Sequence, residues 1–76
     1  MTASDLELLL IAQLVRNRGG TSQSWRRALG RITVRDAATH AHCNWEVNPA
    51  GTDRQRAAIE ELLDEVRHAH SIISAG

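Results

Sequence analysis

Lysine, tyrosine and phenylalanine are absent from this 76-residue chain, cysteine and proline occur once each, and Trp25 and Trp45 are the only aromatic residues. Each scarcity excludes something. With Cys43 alone, no intrachain disulfide can brace the fold, and a solitary thiol suits a reducing compartment. The longest apolar stretch, Leu8 to Ala12, is far short of the roughly 20 residues of a membrane-spanning helix, so no membrane partner is expected. The opening Met-Thr-Ala-Ser-Asp has no basic flank before its apolar run, which makes a cytoplasmic location the expectation. A second hydrophobic core would need roughly a hundred residues more, so residues 1–76 are read as one small domain. Such a chain buries only about 60% of the surface it exposes when unfolded. Its stability is expected to be small, or shared with a partner.

Nine acidic and nine basic residues cancel, but they are unevenly placed. Six arginines (Arg16, Arg18, Arg26, Arg27, Arg31 and Arg35) occur with no acid among them, whereas Asp53 to Glu65 holds five acids against Arg54 and Arg56. The exclusive use of arginine suits bidentate phosphate or carboxylate contacts, and it equally suits the codon bias of a GC-rich genome.

Ser4-Asp5-Leu6-Glu7 has the spacing of a capping box and predicts a helix running to about Asn17, closed by Gly19. Leu6, Leu8, Leu9, Leu10, Ile11, Leu14 and Val15 are spread over more than one face of that helix, where a single core needs only one. The excess predicts a homodimer interface built on residues 6 to 15. Trp25, Ala28 and Leu29 have the spacing of a short helical turn over 23–29. Arg31 to Asp36 and His42 to Val47 alternate as half-buried strands. The first would turn Ile32 and Val34 to one face, and the second would turn Cys43, Trp45 and Val47 inward and His42, Asn44 and Glu46 outward, with Ala37 to Ala41 as the connection. After the Asn48-Pro49-Ala50-Gly51 turn, Thr52 and Gln55 form a second capping box, predicting a helix from 53 to about 71. Its apolar stripe includes Ile59, Leu62, Leu63, Val66, His70 and Ile73. The class is therefore α+β: an N-terminal helix, a short helical turn, a two-stranded antiparallel hairpin and a C-terminal amphipathic helix.

Three chemistries compete for this framework. His40 and His42, with Glu46, are the candidate metal ligands, but Cys43 would face the other side of a strand, and His68 and His70 lie too far apart around a helix to grip one ion. No metal or other cofactor is expected on balance. Cys43 as a nucleophile would need an imidazole within reach, and no oxyanion hole is apparent, so no catalytic residue is assigned. The arginines of segment 16–35, with Trp25 as a stacking ring, form the candidate contact for nucleic acid or another anion. Gly19-Gly20-Thr21-Ser22 lacks the lysine of a phosphate-binding loop. The leading expectation is a non-catalytic protein-interaction module that pairs with itself and with an unidentified protein partner; the alternatives are a nucleic-acid-binding regulator and a metal-binding or thiol protein centred on His40, His42 and Cys43.

Overall fold

The first helix starts earlier than the Ser4 pattern implies. In the computed structural model, which describes residues 1–75, helix α1 spans Ala3–Arg18 and is capped by Thr2. The Thr2 hydroxyl accepts from the Asp5 amide at 3.1 Å, and the Asp5 carboxylate accepts from the Thr2 amide at 3.0 Å. The physical reason lies at the other end of the chain. Ser74 donates to the Met1 carbonyl (2.9 Å) and accepts from the Ala3 amide (3.0 Å), so Thr2 is held in the extended conformation that an N-cap requires. Ser4 is thereby absorbed into the first turn, and Glu7 is left to pair with Arg26.

Gly19 closes α1 as expected, with φ at 77° and its amide bonded to the Val15 carbonyl. Helix α2 (Ser22–Leu29) follows, capped by Thr21, and buries the anticipated triplet Trp25, Ala28 and Leu29. Strands β1 (Ile32–Val34) and β2 (Trp45–Val47) pair antiparallel, with Ile32 opposite Val47, Thr33 opposite Glu46 and Val34 opposite Trp45. Helix α3 (Asp53–Ala69) carries the expected Thr52/Gln55 capping box. The turn before it depends on Gly51, whose φ is +100° and where a Cβ would lie 2.5 Å from the capping oxygen of Gln55. No helix among the described residues is long and apolar enough to cross a membrane.

Two departures from the sequence pattern have a common cause. The alternation places Asn44 outside, yet it is 3% exposed and next to buried Trp45. The stripe places His70 and Ile73 on the last helix, yet the helix stops at Ala69 and Ile73 reaches the core from an extended strap. Asn44 and Trp45 draw the backbone out of its helix. The Asn44 amide nitrogen donates to the carbonyls of Ile73 (2.7 Å) and Arg35 (3.1 Å), its side-chain oxygen accepts from the Ile73 amide (2.9 Å), and its backbone amide donates to Ser71. The Trp45 indole donates to the His70 carbonyl at 2.7 Å, one of the carbonyls a helix end leaves without a partner. Consecutive inward side chains also explain why β2 is shorter than 42–47.

The core joins all five elements. Leu6, Leu10, Leu14, Leu29 and Ile59 are its most completely buried large side chains, and both tryptophans are buried in it. Arg67 lies over the Trp45 ring, 5.5 Å from its centre.

Removing the Asn44 side chain strands the buried Ile73 amide and carbonyl and leaves the partly buried Arg35 carbonyl without this donor. Asn44→Ala is expected to cost about 2 to 4 kcal/mol. The nearly isosteric Asn44→Asp sets a carboxylate against two carbonyl oxygens and should cost at least as much at neutral pH. Urea denaturation of both variants measures this, and a loss under about 1 kcal/mol for either would contradict the clasp.

Candidate functional site

The histidines and the cysteine do not converge. His40 and His42 lie in the connection between β1 and β2 rather than in a strand, so the alternation that would align them does not apply. Asp36 organises this connection by accepting from the Ala38 amide through its side chain and from the Thr39 and His40 amides through its carbonyl. His40 Nδ1 is 2.9 Å from the Thr39 hydroxyl, His42 is exposed, and Glu46 is held by Arg35. Among the described residues no three His, Cys, Asp or Glu side chains are placed to share an ion, so the set His40, His42, Glu46 is not assembled. Cys43 is half-buried against the core, and its thiol donates to the Trp45 carbonyl at 3.3 Å.

The arginine-rich segment divides into paired and free groups. Arg18 bonds Glu61 of α3 at 2.8 Å, Arg26 bonds Glu7 of α1 at 3.1 Å, and Arg35 bonds Glu46 across the hairpin. Arg16, Arg27 and Arg31 have no carboxylate partner among the described residues. Trp25, expected to stack on a base, is 6% exposed, and its indole donates to the Gly19 carbonyl at 2.7 Å. Burial removes the stacking platform. The three free arginines come from α1, α2 and the loop before β1.

Helix α1 also departs from expectation. It packs against α2, α3 and β1, and together these bury Leu6, Leu10, Ile11 and Leu14 within the chain's own core. The apolar excess that predicted a dimer interface is largely taken up by α2, which closes a second side. Those four leucine and isoleucine residues are therefore not available to a subunit interface. Leu9 and Val15 are half-buried at the edges of the core, and Leu8 is 61% exposed. Asp5, Leu8, Ala12 and Arg16 all face outward. Their helical spacing sets Leu8 and Ala12 beside the open edges of Leu9 and Val15, with Asp5 at one end and Arg16 at the other. This strip of mixed apolar and charged character on the outer face of α1 is the candidate site, and helical periodicity alone could not separate it from the buried face.

The Thr2 cap favours the ionised form of Asp5. The Thr2 amide foremost, and then the Thr2 hydroxyl, hold its carboxyl below the usual carboxylate range. A depressed folded-state value means that this carboxylate supports the fold above its unfolded pKa of about 3.9, and that the support fades as pH falls through the folded value. NMR titration of the Asp5 carboxyl is expected to give a midpoint below that of an unfolded peptide. A midpoint at or above it would contradict the Thr2 cap. No family model, curated protein or solved structure matches the chain.

Proposed function

We propose that this chain is a non-catalytic protein-interaction module that works as a homodimer and presents its remaining surface to a protein partner. The observation that carries this reading is the outer face of α1. A single exposed leucine is ordinary on a protein surface. Here Leu8 continues into Ala12 and the open edges of Leu9 and Val15, and it is 61% exposed in a chain too small to leave apolar area uncovered without consequence. Covering the exposed part of Leu8 is worth about 1 to 2 kcal/mol, a substantial part of what so short a domain can accumulate. A second copy is the most economical cover, because a twofold contact uses the same patch twice.

Sedimentation equilibrium across a concentration series tests the reading. The mass is expected to rise from that of one chain, 8.4 kDa, towards twice that value. Leu8→Arg, at an exposed position, should keep the helical circular dichroism and the single-chain mass. Leu10→Arg, which forces a guanidinium into a fully buried site, should instead unfold the chain. A wild-type protein that stays at the single-chain mass at every concentration would overturn the homodimer.

A further inference from the structure

Asp5, Leu9, Ala12 and Arg16 stand at i, i+4, i+7 and i+11 on α1, the spacing of a seam along which one helix packs on another. The two ends of the seam carry opposite charges and its middle is apolar: Ala12 and the side of Leu9 that the core leaves open, with exposed Leu8 alongside. Neither end is committed to a close ion pair among the described residues: Arg16 has no carboxylate partner, and Asp5 hydrogen-bonds Thr2, with the N-terminal ammonium acting on it from further off. Turning a second α1 end over end, about a twofold axis passing between positions 10 and 11, sets Asp5 against the partner subunit's Arg16. The same operation sets Leu9 against the partner subunit's Ala12, large against small. A parallel arrangement would instead oppose like charges at both ends.

We propose that the dimer is an antiparallel α1–α1 pair whose register is set by two Asp5–Arg16 bridges, one at each end of the seam. This rests on the homodimer reading above and adds its surface, its direction and the residues that choose the partner. Ala12 lets the two backbones approach closely, as packed helices with small contact residues do. Antiparallel helices also place each dipole's positive end beside the other's negative end. The Thr2 cap fits this role, because it fixes the Asp5 carboxylate at the exposed start of α1. The chain is electrically neutral, so no net repulsion between copies opposes the contact.

A charge-swap experiment decides the matter. Arg16→Glu opposes acid to acid at both ends, and Asp5→Lys opposes base to base; each protein alone is expected to associate roughly tenfold more weakly than wild type at low salt. Mixed together they pair acid with base at both ends, and a heterodimer is expected to form, weakening as salt is added. Asp5→Lys also removes the cap on Thr2, so Ala12→Glu, an exposed substitution on the same seam, serves as a second probe and should abolish association while helical circular dichroism is retained. Wild-type dimers together with variants that still dimerise, or a mixture that fails to associate, would overturn the antiparallel seam while leaving the homodimer standing. A wild-type chain that never dimerises would overturn both.

Discussion

Two stretches of chain that are remote from each other in sequence meet on the side chain of Asn44. Its amide and carbonyl tie the end of β1, through Arg35, to the strap after α3, through Ile73, around a buried side chain. A carboxamide suits this position because it offers donors and an acceptor together, and no buried side-chain polar atom among the described residues is left without a partner. The strap then passes to Met1 and Ala3 through Ser74, holding Thr2 extended so that it caps α1. Thus the clasp at Asn44 leads, through the strap, to the point where the first helix begins. The chain has no disulfide and a small core, so backbone-directed hydrogen bonds of this kind fasten its two ends together.

The phase of α1 has consequences on both of its sides. With Leu6, Leu10, Ile11 and Leu14 turned towards α2, α3 and β1, the residues at Asp5, Leu8, Ala12 and Arg16 are obliged to face out. A helix that is apolar nearly all round would ordinarily be central to a larger core. Here α2, only eight residues long, covers a second side and removes most of the excess. What remains uncovered is narrow and has charged ends, a combination that favours one orientation of a neighbour over others.

Half of the arginines in the basic segment find carboxylates in three dimensions. Arg18 of α1 finds Glu61 of α3, Arg26 of α2 finds Glu7 of α1, and Arg35 finds Glu46 on the neighbouring strand. These pairs are exposed and each contributes little to stability, but they orient elements that also meet through the core. They also reduce the arginine-rich segment to a few dispersed free cations, with Trp25 withdrawn into the core.

Local pattern by itself determined the element order, the triplet Trp25, Ala28 and Leu29, the antiparallel hairpin and the Thr52/Gln55 cap, because periodicity and capping depend on residues within a turn or two of one another. It determined, too, that α1 carries more apolar surface than one face requires. Tertiary structure decided which part of that surface is core, since a helix's phase is set by its neighbours and not by its own period. It also chose Thr2 over Ser4 as the cap, because the Ser74 contact that selects it comes from 72 positions further along the chain. Asn44 and Ile73 depart from the local pattern for the same reason: a strand's alternation and a helix's stripe describe a chain bonded to itself locally, and here a side chain from the hairpin took over the backbone of the C-terminal strap.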